Sequence, residues 1–149
     1  MAPSKRARLV ANFVALVQGS GLVRGCTDEP PGDYVTPAPS WAWVFEGNEL
    51  RTEQRKLANR TERAIELHLH DTYLYVPGDP VRDLHKLGRE RLARWQELVL
   101  ADWTIGGEAW LTEEAGNAIG IPAGTERPIG ILSTTWIVHY DTPMRDPRT

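Results

Sequence analysis

The densest group of chemically capable side chains in the sequence is His68-Leu69-His70-Asp71. On an extended strand, side chains two apart share a face, so two imidazoles at this spacing can chelate one metal ion. A metal-dependent hydrolase built on them would need a third ligand, from Asp71, His85 or His139. The His-x-His spacing is common, however, and the same residues also describe a polar sheet face whose histidines are hydrated or hydrogen-bonded. The polar face is the expectation, and no metal ligand is assigned.

Other routes to catalysis find less support. Cys26 lies in a proline-rich stretch with no histidine near it in sequence, and no G-x-S-x-G nucleophile elbow occurs. Gly116-Asn117-Ala118-Ile119-Gly120 fits no phosphate-binding fingerprint, and Glu113-Glu114 reads as a solvated acidic pair. The expectation is therefore a protein that is not an enzyme, with no catalytic residue and no cofactor.

Composition narrows the class further. At 149 residues the chain has the size of one domain, here expected over residues 1–149. A single cysteine excludes an intramolecular disulfide. The 17 basic and 20 acidic residues leave a net charge of −3, which argues against a tightly held nucleic-acid partner. Fourteen of the basic residues are arginine, the side chain best suited to interface ion pairs. The basic start, Met1 to Arg8, precedes an apolar stretch in the manner of a signal peptide, but Asn12 interrupts it and the pattern is amphipathic. No run approaches the roughly 20 apolar residues of a spanning helix, so no membrane partner is expected.

The elements that would position these groups follow from periodicity. Ser4 can cap a helix running to Gln18, with Gly19, Ser20 and Gly21 ending it and an apolar face from Leu9 to Val17. Residues 26–39, with Pro30, Pro31, Pro37 and Pro39, read as a loop inside the domain. Ser40 to Glu46 reads as a strand rich in aromatic and β-branched residues. From Glu46 to Glu66 the chain carries ten charges, five of each sign. These could pair along a helix or line a hairpin turning at Asn59-Arg60. The period-two alternation of Arg63, Ile65, Leu67 and Leu69 favours the hairpin, with a bulge near Asp71 and the strand continuing to Val76. Asp79 and Pro80 open a second helix, to about Ala101, on whose apolar stripe Gly88 allows close packing. Residues 106–128 read as irregular with hints of short strands, Ile129 to Tyr140 as the last strand, and residues 141–149 as a surface tail. Together these give an α+β fold: a small mixed, mostly antiparallel sheet with two main helices packed on it and a charged β-hairpin arm.

The six tryptophans are numerous for this length, and Trp41 and Trp43 fall on one strand face. Trp95 and Trp136 fit core stripes, whereas a surface tryptophan would suit an interface, where this residue is enriched among energetic anchors. The expected subunit interface therefore comprises Trp41 and Trp43 with the charged arm: Glu49, Arg51, Glu53, Arg55, Lys56, Arg60 and Arg63.

One further signal comes from the order of elements: helix, loop, aromatic strand, charged hairpin and the strand Ala64-Ile65-Glu66-Leu67-His68-Leu69-His70. A Pro77-Gly78-Asp79-Pro80 break, a second helix and the strand Thr134-Thr135-Trp136-Ile137-Val138-His139-Tyr140 complete it. This layout resembles the small tail-terminator proteins of long-tailed, siphovirus-like phages and phage-like particles, over most of residues 4–142. The resemblance implies a structural virion protein of the tail or neck, assembled in the host cytoplasm. Six subunits would form a ring that caps the tail tube and joins it to the head–neck connector protein. DNA would pass through the lumen without specific binding. Head-closure and head–tail connector subunits share the size, acidity and ring habit, and stand as the alternative.

Overall fold

The computed structural model describes residues 3–28, 41–50, 60–74, 80–122 and 129–143. Helix α1 (Lys5–Gln18) and strands β1 (Gly25–Thr27), β2 (Trp41–Leu50) and β3 (Arg60–Leu74) are followed by helix α2 (Pro80–Ala101) and strands β4 (Leu111–Gly120) and β5 (Ile129–Pro143). The five strands form one sheet in the order β1-β2-β3-β5-β4. The β1–β2 pair is parallel and the other three are antiparallel. The α+β architecture expected from the sequence is thus the observed one, with both helices packed against the core face of the sheet.

Helix α1 begins where the sequence places it: the Ser4 hydroxyl accepts the Ala7 N–H at 3.1 Å. The left-handed residue beyond its end is Gly21 (φ 74°), while Gly19 remains right-handed and returns its N–H to the Ala15 carbonyl. Leu9, Phe13 and Val17 are fully buried. Asn12, which breaks the apolar run in sequence, reaches across to donate to the Ile105 carbonyl at 3.1 Å. Ile105 (φ 48°) and the two glycines after it are left-handed, a conformation unfavourable for a branched side chain. Burial of Ile105 and the Asn12 hydrogen bond hold it there.

Several boundaries differ from the sequence reading. Cys26 and Thr27 belong to a strand and not to the loop, because they pair with Ala42 and Trp43. Residues 106–128 contain the ten-residue β4, whose hydrophobic alternation is hidden because it lies at the sheet edge and is largely exposed. The strand β5 runs on through Pro143, with Thr142 buried, so residues 141–143 are sheet and not tail. Arg60 is the first residue of β3, opposite Pro143, and so lies in a strand and not at the tip of a turn. Glu49 pairs with Ile65 and Leu50 with Ala64 in antiparallel register, and residues 51–59, where the hairpin or helix was expected, lie outside the described residues. Residues 29–40, 75–79 and 144–149, with Ser40, Val76 and Asp79 among them, also fall outside.

The expected bulge near Asp71 is absent: β3 pairs with β5 rung for rung from Arg60 to Leu74. The register shifts instead between Glu46 and Glu49 of β2 and between Glu114 and Gly116 of β4. The alternation breaks at Asp71 in residue type only, because a carboxylate occupies a core position, fully buried. Arg91 of α2 donates to it twice, through Nε at 2.6 Å and through Nη2 at 2.8 Å, and the Trp95 indole N–H donates at 2.8 Å. Arg91 also reaches the Leu22 carbonyl at 2.8 Å. Beside this group, Tyr73 donates to the Leu84 carbonyl at 2.9 Å. Its ring occupies the space that side chains at Gly88 and Gly130 would need.

Two outcomes test this core. Gly130→Ala drives a methyl into the Tyr73 ring and is expected to cost about 1–3 kcal/mol in urea unfolding, whereas Gly116→Ala meets nothing within 4 Å and should stay within about 0.5 kcal/mol of the parent. Asp71→Ala strands the Arg91 charge and should cost about 3–5 kcal/mol. Adding Arg91→Met to Asp71→Ala should recover part of that loss, and simple additivity would refute a coupled pair.

Candidate interaction surface

Because side chains alternate along a strand, the sheet has a second face pointing away from the helices. Ala42 and Val44 point into the core, so Trp41, Trp43 and Phe45 point outward and are only half-buried. On β3 the outward residues are Glu62, Glu66, His68, His70 and Thr72, and on β5 they are Ile131, Ser133, Thr135, Ile137, His139 and Asp141. Both helices pack on the other side, and among the described residues no helix or strand covers this one.

The half of this face nearest β2 is an aromatic cluster. Phe45 stacks on His68, with centroids 4.8 Å apart and planes 10° apart, while His70 meets Phe45 and Trp43 edge-on at 4.9 and 5.6 Å. Trp43 leans on Phe45 at 4.5 Å. The Trp43 indole nitrogen is buried and has no hydrogen-bond partner among the described residues. Trp41 lies over Gly25 of β1, where only a glycine leaves room for its ring.

The histidines are held in defined roles. His68 Nε2 lies 3.3 Å from Glu66 Oε2 and its Nδ1 lies 3.1 Å from the Thr135 hydroxyl. Since a carboxylate only accepts, Nε2 donates to Glu66 and the hydroxyl donates to Nδ1 in the neutral ring. Gly47 leaves the space in which Glu66 and His68 meet. Of the ligands considered from sequence, Asp71 points into the core and His85 belongs to α2. His139 sits opposite Ala64, four residues along β3 from His68 and about 13 Å away. Among the described residues no three such side chains gather as a metal site would require.

The half nearest the β3 start and β4 is acidic. Glu66, Ile137 and Glu113 form one row across three strands, and Glu62 faces Asp141 four residues along. His139 Nε2 lies 3.1 Å from Glu113 and its Nδ1 4.0 Å from Glu62, while Trp110 packs against its ring at 5.1 Å.

Of the residues expected to form an interface, the structure brings Trp41 and Trp43 onto this face, but it turns Glu49 and Arg63 toward each other at 2.9 Å. Arg63 also donates to the Thr142 hydroxyl, so part of the arm's charge is satisfied within the chain. Arg60 enters through its backbone pairing with Pro143, and Arg51, Glu53, Arg55 and Lys56 lie outside the described residues. Sequence reasoning missed Phe45 as the stacking partner of the histidines, although its place in the Trp41-x-Trp43-x-Phe45 alternation carried the signal. Among the described residues no helix is long and apolar enough to cross a membrane. No protein-family model matches this chain, and no curated protein does.

Burial and the neighbouring His68 push the His70 pKa below its ordinary 6.5. The unfolded chain therefore binds a proton that the folded chain resists. Stability is full above 6.5 and is lost as pH falls below it. Urea midpoints measured between 6.5 and about pH 5 should fall for the parent and fall less for His70→Gln. Equal slopes would show that His70 does not report on this face.

Proposed function

We propose that this protein is a structural subunit that works by assembling with copies of itself and performs no catalysis of its own. In the most specific form of this reading it is a tail terminator. Six copies close into a ring on the end of a phage tail tube, bind the tail-tube protein on one side and the head–neck connector protein on the other, and leave a lumen for DNA. Its place is then the virion, at the tail or neck. The observation that supports assembly most directly is the outer sheet face. Half-buried Trp43, Phe45, Ile131 and Ile137 are uncovered there by any described helix or strand, although the domain has two helices to spend and puts both on the other side. Aromatic anchors beside polar groups are typical of contact surfaces. The element order that resembles the terminators supports the particular assembly. The acidic balance suits a channel that DNA slides through.

The test is the solution mass of the purified protein by light scattering, with negative-stain images. Rings, or assembly on adding tail-tube protein, are the expected result. A strict monomer that ignores tail-tube protein would overturn the reading. Reversing Arg51 and Arg55 to Glu should weaken assembly while leaving the circular dichroism unchanged. Survival of assembly would remove the arm from the interface.

A further inference from the structure

The first turn of α1 is charged against its own dipole. Free N–H groups give a helix start a partial positive charge, which acidic residues would balance. This turn instead holds Lys5, Arg6 and Arg8 and no acid. Carboxylates from elsewhere answer two of them: Glu46 lies 2.6 Å from Arg6 and Glu108 lies 2.9 Å from Arg8. Lys5 has no ion-pair partner among the described residues. Beside the turn is a cleft of about 200 Å³, lined by Ser4, Arg6, Glu49, Arg63, Tyr140 and Thr142. Tyr140, which lines it from β5, is only 2% exposed, and its hydroxyl has no hydrogen-bond partner among the described residues. The charges around that hydroxyl are Glu49, Arg6, Arg63 and Glu46. Burial first, and Glu49 next, push its pKa above the ordinary 10, so it stays protonated and can donate.

We propose that this cleft binds one tetrahedral oxyanion of the phosphate class. The hydrogen-bond balance selects an anion. Glu46 and Glu49 are each held by one arginine nitrogen, Arg6 Nε and Arg63 Nη1, and Arg63 Nε donates to the Thr142 hydroxyl. Left over among the described residues are both Nη atoms of Arg6, Nη2 of Arg63 and the Tyr140 O–H, all donors. Ser4 accepts the N–H groups of Ala7 and Arg8, which leaves those of Lys5 and Arg6 as the orphans of the helix start. The remaining carboxylate oxygens belong to Glu46 and Glu49, both exposed to solvent. Charge agrees with this balance: four cations, Lys5, Arg6, Arg8 and Arg63, face three carboxylates, Glu46, Glu49 and Glu108, and the helix end adds to the excess. The donors come from α1, β3 and β5, three directions, where a carboxylate offers two oxygens in one plane and phosphate offers a third. An ion placed there meets backbone N–H groups and a favourable dipole, and ties the start of α1 to the ends of β3 and β5. The cleft lies on the helix side of the sheet, so it stands apart from the assembly reading.

Titration calorimetry with inorganic phosphate at fixed ionic strength tests the site. Saturable binding of one ion per chain is expected, well above any heat from chloride. Tyr140→Phe keeps the ring and removes the hydroxyl, and should bind phosphate about tenfold or more weakly. Because that hydroxyl has no partner to lose, the urea midpoint of Tyr140→Phe without phosphate should match or exceed the parent's. Lys5→Ala should also weaken binding, whereas Lys86→Ala, the same charge change on exposed α2, should bind as the parent does. Far-UV circular dichroism establishes that each variant is folded. A nucleoside 5′-monophosphate in the same assay separates two sources of the oxyanion: tighter binding assigns it to a larger ligand, equal or weaker binding to the free ion. Phosphate that binds no better than chloride overturns the proposal, as does Tyr140→Phe binding at parental strength. A clear fall in the Tyr140→Phe midpoint would show that the hydroxyl already has a partner, and overturns it too.

Discussion

The buried Asp71 carboxylate is the point on which the rest of the molecule turns. An ionised carboxylate without access to water is costly unless every strong acceptor direction is met. Here Arg91 meets it through two donors and Trp95 through a third. Meeting it fixes the rotation of α2, because Arg91 and Trp95 lie four residues apart on one side of the helix. It fixes the helix along β3 as well, since Tyr73, two residues on, fits only where Gly88 and Gly130 leave room. The same guanidinium reaches the Leu22 carbonyl, so the segment joining α1 to β1 is tied to the same charge. Three parts of the chain, β3, α2 and the segment before β1, thus meet at one side chain.

Fixing α2 on the core face has a consequence for the other face. Both helices are committed to one side of a five-stranded sheet, α1 toward β1 and β2 and α2 toward β4 and β5. The exposed side of α2 is then the outer surface of one layer, and the aromatic and acidic outer residues of β2, β3, β4 and β5 form the surface of the other. Antiparallel sheets tolerate such one-sided packing with polar residues outward. Here the outward residues near β2 are Trp41, Trp43 and Phe45, which is the reverse of what solvent alone would favour.

Much of this arrangement was legible in the sequence, because the signals are local. Ser4, Pro80 and the apolar stripes mark the helices, and alternation marks β2, β3 and β5. What sequence periodicity could not reveal depends on partners distant along the chain. Asp71 looks like a break in a strand until Arg91 and Trp95, 20 and 24 residues away, are brought against it. Asn12 looks like a flaw in an apolar helix until Ile105 needs its amide. The edge strand β4 escapes because an exposed edge need not alternate, and Glu113 to Ala115 show no buried side chain. For the outer face, the tryptophans and the His-x-His pair were visible as residues, but their union with Phe45 rests on the β2–β3 register.

The sheet's edges bear on which contact a subunit of this shape can use. Joining copies edge to edge would be the simplest way to extend a sheet, and unpaired edges invite it. At one end the edge strand β1 is only three residues long. At the other, β4 is long enough, but it carries Glu113 and Glu114 and is broken by a bulge between Glu114 and Gly116. Short edge strands, charges and bulges all oppose continuous pairing with a second strand. With lateral growth discouraged at both ends, the large area that no described helix or strand covers is the outer face itself. In the proposed self-assembly, contact through that face would bury side chains and leave the backbone ladder closed, with specificity from the pattern of charge and aromatic surface. A subunit that must stop at a defined number of copies is better served by such a contact than by an open edge, which sets no limit on how many strands can be added.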